Sequence, residues 1–162
     1  MAINQADAER LVHTYSDLIL RLSYTWLKST YDAEDICQTV FLKMLTGAYS
    51  FDSPAHEKAW VIRTAINACK DELKAFRRRS VGLESITEAA APQIPEDEVL
   101  DVVMRLPQKY REVIYLYYYE GYSIRETASF LNRSESAVTA QLDRGRKKLR
   151  GLLGGDYCEQ KG

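Results

Sequence analysis

The chain has 162 residues, of which 46% are hydrophobic and 28% charged, with a formal net charge of −1; that is the composition of a soluble globular protein of one domain or two small ones. No apolar run approaches the roughly 20 residues that span a bilayer, and the opening MAINQADAER has neither the basic flank nor the apolar stretch of a secretory leader, so a cytoplasmic protein is expected. Cys37, Cys69 and Cys158 are odd in number and far apart, and only His13 and His56 could join them, which predicts reduced thiols, no metal site and no cofactor.

The near-zero net charge conceals a segregation. Val81 to Met104 holds six acids and no Lys or Arg, leaving about +5 on the remainder. On both sides of that stretch apolar residues recur with the helical period. Leu11, Tyr15, Leu18, Leu22 and Trp26 line one face of a long helix, or of two consecutive ones, starting near Asn4. A second helix is expected from Asp32 as N-cap, with Glu34 and Asp35 in its first turn, to Gly47, where positive φ is easily accepted; Ile36, Val40, Phe41 and Met44 form its inner stripe. Ser53-Pro54 opens a third, running to about Arg79 with Ile62, Ile66, Cys69, Leu73 and Phe76 inward. The next segment, SVGLESITEAAAPQIPEDE, is rich in small residues and proline and reads as a flexible acidic linker, about 81–95.

Beyond it, helices are expected from about Pro95 to Arg105 and from Pro107 to Tyr119, the latter stopped by Gly121. Ser123-Ile124-Arg125-Glu126 is a capping box that starts a short helix to Leu131, Asn132 suits a left-handed stop, and Ser134 caps a last helix to about Arg150 with Val138, Leu142 and Leu149 inward. Gly145 within it should cost about 1 kcal/mol relative to alanine. The expected fold is therefore all-α: two small helical domains, 1–80 and 96–162, with a helix-turn-helix in the second.

Two constellations carry function. On the third helix Arg63, Asn67, Lys70, Lys74 and Arg77 (or Arg78) are spaced four, three, four and three apart, opposite the apolar stripe, so they share one exposed face. Successive cations over several turns match a nucleic-acid backbone. A plain solvated face would look similar, but Asn67 offers a donor and an acceptor to a base edge, and Phe51 and Trp60 lie close in sequence; Trp60 is readable either as core or as part of a base-stacking set. In the final helix Ser136, Thr139, Ala140 and Asp143 are placed to enter a major groove, with Arg144, Lys147 and their basic neighbours reaching phosphates or a base, and Arg133 and Ser134 in the turn beside them. Tyr115, Tyr117, Tyr118 and Tyr119 read as packing. Glu34, Asp35 and Gln38 share a polar helix face that suits docking to a basic helical partner better than acid catalysis.

Taken together, AEDICQTVFLKM, FDSPAHEKAWVIRTAINACKDELKAFRRR and LPQKYREVIYLYYYEGYSIRETASFLNRSESAVTAQLDRGRKKL occur in the order of the polymerase-binding, promoter-melting and C-terminal DNA-binding segments of a two-domain extracytoplasmic-function (ECF) sigma factor, which the chain resembles over nearly its whole length. The resemblance implies a non-enzymatic initiation subunit of bacterial RNA polymerase. It implies that Glu34, Asp35 and Gln38 face the clamp helices of the core enzyme. Phe51, Asp52, Ser53 and Asn67, with Trp60, would hold an unstacked base of the minus 10 element while Arg63, Lys70, Lys74 and Arg77 track the backbone. Arg133, Ser134, Ser136, Thr139, Ala140, Asp143, Arg144 and Lys147 would serve the minus 35 element. Core RNA polymerase, promoter DNA and a cognate anti-sigma factor are the implied partners, with the acidic linker near the polymerase's RNA channel. The recognition helix departs from the family: where Thr-Val-Lys-Ser-Arg-Leu is frequent, this chain has Ala137-Val138-Thr139-Ala140-Gln141-Leu142, so no minus 35 sequence carries over. Three rival readings stand beside this one. A stand-alone DNA-binding regulator needs a dimerisation surface and a palindromic site and shows neither, and the need of a small nucleic-acid hydrolase for clustered carboxylates or histidines with a metal is not met. The third is a pure interaction protein that occupies polymerase without promoter specificity, which 5′-end mapping of transcripts made with core polymerase would separate.

Overall fold

A computed structural model describes residues 4–47, 49–79 and 98–153, all of whose regular elements are helical. The chain divides into two compact units, Met1–Gln93 and Ile94–Gly162. The expected linker, 81–95, and Cys158 lie outside the described residues.

In the first unit α1 (Gln5–Leu27), α2 (Thr30–Thr46) and α3 (Pro54–Arg79) pack around one core. Asn4 caps α1 by accepting the Asp7 N–H at 2.8 Å, and the segment is a single helix. It ends at Lys28, whose left-handed φ of 56° is uncommon for a side chain with a Cβ. The helix is one residue out from the expected face at its centre: Ile19 is fully buried and Leu18 only half so, because the stripe must follow the slow drift of a 3.6-residue period. The cap of α2 is Ser29, which accepts the Asp32 N–H at 3.1 Å, so Asp32 belongs to the first turn, where its charge complements the helix dipole. Gly47 closes α2 with φ −91°, not in the left-handed region. Ile36, Val40 and Met44 are buried with Ala33, whereas Phe41 is half-buried. Helix α3 buries Val61, Ile62, Ala65, Ile66, Ala68 and Cys69; Leu73 is half-buried and Phe76, expected inward, is exposed.

The second unit is built from α4 (Glu98–Val103), α5 (Gln108–Ile114), α6 (Ile124–Leu131) and α7 (Glu135–Leu153). The expected helix to Tyr119 changes pitch: Tyr115–Tyr119 is a π-helical turn, with the Glu120 N–H donating to the Tyr115 carbonyl at 3.2 Å and Gly121 ending it at φ 74°. Such a turn advances the side chains after it by about one residue, and Tyr118 and Tyr119 emerge exposed while Tyr115 stays in the core. The capping box forms as read, with reciprocal bonds of 3.1 and 3.0 Å between Ser123 and Glu126. Asn132 adopts φ 57°, ψ 47°, and Ser134 accepts the Ala137 N–H at 3.1 Å, so the turn between α6 and α7 is fixed by its own side chains.

Gly145 is buried at the crossing of α7 on α5. A Cβ there would lie 3.2 Å from Ile114 Cγ1 and 3.4 Å from Tyr110 Cβ, so the missing side chain permits close helix approach. The loss of helix propensity is offset by packing.

Candidate nucleic-acid interface

The α3 face forms as a continuous surface. Arg63, Asn67, Lys74, Arg77 and Arg78 are exposed along it and Lys70 is half-buried, all opposite the apolar stripe. At its N-terminal end the preceding loop folds onto the helix. Phe51 and Trp60 are both half-buried, their ring centroids 5.9 Å apart, and His56 meets Phe51 edge-on at 5.4 Å. The loop is pinned by two local bonds: the Asp52 N–H donates to His56 Nδ1 at 3.1 Å, and Ser53 Oγ accepts the His56 N–H at 3.1 Å. Asp52 and Ser53 remain exposed beside Phe51. The structure thus brings Phe51, Asp52, Ser53 and Trp60 together at the head of the cationic face.

That loop has a brace behind it. Glu57, on the first turn of α3, accepts from Arg10 Nη1 and Nη2 at 3.2 and 3.0 Å and from the Tyr15 hydroxyl at 2.7 Å. The hydrogen bonds from Arg10 hold its carboxyl below the ordinary range; burial opposes this, and Tyr15 and the Arg10 charge add to it. Sequence inspection missed this three-residue link, because its members are up to 47 positions apart.

On α2, Glu34, Asp35 and Gln38 are exposed on one stripe that continues into the exposed Tyr31 and Leu42. The thiol of Cys37, on the same helix but half-buried, is pushed up to about 11 by burial and by nearby Glu34, which keeps it protonated and unreactive.

In the second unit Ser136, Thr139, Asp143, Arg144 and Lys147 are exposed along α7 and Ala140 is half-buried. The Thr139 hydroxyl donates to the Glu135 carbonyl at 2.9 Å and keeps its acceptor capacity. Two arginines are turned inward. Arg133, expected beside the DNA-facing residues, pairs with Glu112 Oε2 and donates to Gln141 Oε1 at 3.0 Å and to the Lys109 carbonyl at 3.3 Å, tying the turn and α7 to α5. Glu112 also accepts from Gln108 Nε2 at 2.7 Å. Arg146 donates to the Tyr118 hydroxyl at 2.6 Å and lies over the Tyr117 and Tyr118 rings at 5.9 and 5.6 Å. The hydroxyl of Ser134 is occupied as the cap of α7.

Among the described residues no cluster of His, Cys, Asp and Glu could hold a metal ion, and no helix is long and apolar enough to cross a membrane.

A helix-turn-helix unit following a three-helix unit with a cationic, aromatic-headed face defines a class of transcription protein, and comparison places the chain within it. Residues 11–80 match the family model for Sigma-70 region 2, and residues 96–149 that for Sigma-70, region 4. The chain is similar to the ECF RNA polymerase sigma factor SigW of Bacillus subtilis, 30% identical over 162 residues covering 88% of this chain and 87% of that protein. Similarity to the ECF RNA polymerase sigma factor SigM of Mycobacterium tuberculosis is 29% over 150 residues, covering 90% and 76%. Among solved structures, the sigma factor RpoE of Bartonella quintana, in complex with the anti-sigma factor NepR, superposes with a TM-score of 0.73 at 20% identity over 91% of this chain and 97% of that one. CnrH, in complex with the cytosolic domain of CnrY, gives 0.63 at 23%, covering 94% and 91%, and at such identities both likenesses speak to fold. The chain belongs to the ECF sigma factors of RNA polymerase and serves transcription initiation.

Proposed function

We propose that the two units divide promoter reading between them. The region 2 unit, 1–80, docks on core RNA polymerase through Glu34, Asp35 and Gln38 and holds an extruded minus 10 base in the Phe51, Asp52, Ser53 and Trp60 head of α3, with Asn67 reading its edge. Arg63, Lys70, Lys74 and Arg77 follow the phosphates. The region 4 unit, 96–162, lays α7 in the minus 35 major groove, with Ser136, Thr139, Ala140 and Asp143 at base edges and Arg144 and Lys147 on the backbone; Arg133 and Ser134 build the turn that aims it. The acidic linker, 81–95, passes near the RNA channel. The protein acts in the cytoplasm as a non-catalytic subunit, without metal or cofactor, and a cognate anti-sigma factor covers these surfaces when initiation is not required; that two solved neighbours are complexes with such regulators or with a cytosolic partner domain supports this part of the reading.

The observation that carries the proposal is the meeting of the aromatic head with the exposed Asn67 and cations on one helix face. Base extrusion costs a few kcal/mol, and stacking plus edge hydrogen bonds offset it. The test adds the purified chain to core polymerase and maps transcript 5′ ends. Asn67→Ala is expected to lower open-complex formation at the promoters so recovered by roughly 10-fold, one edge contact of about 1–3 kcal/mol, with closed binding retained. Arg144→Ala is expected to weaken closed binding first. Wild-type behaviour of both variants in run-off transcription overturns these assignments.

A further inference from the structure

One aromatic side chain at the head of α3 is not assigned by the reading above, on which the following rests. Tyr49 lies in the loop after α2, half exposed at 48%, and its ring belongs to the Phe51 and Trp60 group. The Tyr49 and Phe51 rings are nearly parallel, at 14°, with centroids 6.3 Å apart, and Trp60 is tilted across both, 4.5 Å from Tyr49 and 5.9 Å from Phe51. Two parallel rings at that separation do not overlap face to face at contact distance. Three rings stacked face to face place the outer centroids about 7 Å apart, twice the ~3.5 Å of an aromatic contact, so the Tyr49–Phe51 centroid separation of 6.3 Å is near that of such a pair.

The backbone beneath is cleared for this pose. A Cβ on Gly47 would stand 2.1 Å from Cε2 of Tyr49 and 2.7 Å from Cδ2, an impossible approach. Because Gly47 has φ −91°, which any residue adopts, what the glycine supplies there is space for this position of the Tyr49 ring and not backbone conformation.

We propose that Tyr49 is the second wall of the base slot, stacking on the face of the extruded minus 10 base opposite Phe51, and that Gly47 provides the clearance that seats it. Trp60 is the floor between the two walls. The slot then grips by two stacked faces, independent of base identity, and leaves edge discrimination to Asn67. Its ligand is an unpaired nucleobase within single-stranded DNA.

The experiment uses holoenzyme assembled from the full chain and core polymerase, with forked DNA carrying a promoter recovered by 5′-end mapping and 2-aminopurine placed singly along the non-template minus 10 positions. Wild-type holoenzyme is expected to quench the fluorophore at one position. Tyr49→Ala loses most of that quench and releases the fork roughly 5- to 150-fold faster, the factor that ~1–3 kcal/mol of base stacking converts to. Tyr49→Phe keeps both properties. Gly47→Ala retains the tyrosine but displaces its ring, and is expected to behave like Tyr49→Ala; wild-type behaviour of this variant overturns the clearance role. Assembly with core polymerase, read on a native gel, reports that each variant is folded. If Phe51→Ala abolishes the quench while Tyr49→Ala matches wild type, the second wall is wrong and the base slot stands. If neither change alters quench or release, the base-holding reading itself falls and takes this inference with it.

Discussion

The outer face of α3 and the packing of α7 use arginine in opposite ways. Along α3, Arg63, Arg77 and Arg78 are exposed on an outward face. In the second unit Arg133 and Arg146 are folded back, one onto Glu112 and Gln141 and the other onto Tyr118. A partly buried guanidinium with several acceptors fixes the angle between the elements it joins, which exposed arginines along a helix face do not. A cation count alone therefore overstates the exposed charge of the second unit.

The sharpest way to break the comparison is at Arg133. Its removal leaves the Glu112 carboxylate, whose side chain is 4% exposed, without its cation. Loss of one partner from a fully buried pair costs roughly 3–5 kcal/mol. The Arg133 side chain is 24% exposed and Gln108 still donates to Glu112, so Arg133→Met is expected to lower the thermal stability of the second unit by about the low end of that range. The double variant Arg133→Met with Glu112→Leu should recover much of it. Differential scanning calorimetry of the full chain checks both; single and double variants of equal stability would show that the pair is not a buried clamp. A somewhat smaller effect is expected at Gly145, where α7 rests against Ile114 and Tyr110. Gly145→Val overpacks the crossing at a cost of about 1–3 kcal/mol and should tilt α7, weakening binding to a minus 35 duplex in fluorescence anisotropy beyond what the loss of folded protein explains. Unaltered binding and stability would mean that the close crossing is not needed to aim the helix.

These sites also show which parts of the molecule were legible in the amino-acid order. The turn of the second unit was, because Ser123, Glu126, Asn132 and Ser134 act within three residues of themselves, and caps of that kind are written locally. The exposed α3 face was legible too, since its spacing is the helical period. The fate of Arg133 was not: Glu112 is 21 residues away on another helix, and a basic residue in the turn of a helix-turn-helix invites the opposite expectation. Gly145 was read as a local penalty because its compensation comes from two side chains on α5. For the role proposed for Tyr49 the usable signal was its place two positions before Phe51, a second aromatic in the same short loop. The π turn at Tyr115–Tyr119 had none we can identify in the run of tyrosines.

The first unit has its own arginine tie, and its strength sharpens the contrast at the small end of the scale. Arg10 holds Glu57 by two hydrogen bonds, but its side chain is 51% exposed against 13% for Glu57, so solvent screens the pair. An ion pair so placed contributes under about 1 kcal/mol, a fraction of what Arg133 secures. Its pH dependence has a definite sign. The folded-state pKa of Glu57 is depressed, chiefly by the hydrogen bonds from Arg10. The stabilisation is therefore complete above the unfolded value of about 4.3 and disappears as pH falls through the lower folded value. Glu57→Gln should consequently be slightly less stable than wild type near neutrality, and the gap should close only below about pH 4.3. Urea unfolding at pH 7 and at pH 3.5 measures it. A gap that stayed constant between those two conditions would locate the effect in packing, not charge. A gap at pH 7 as large as that of Arg133→Met would erase the distinction between a solvated brace and a buried clamp.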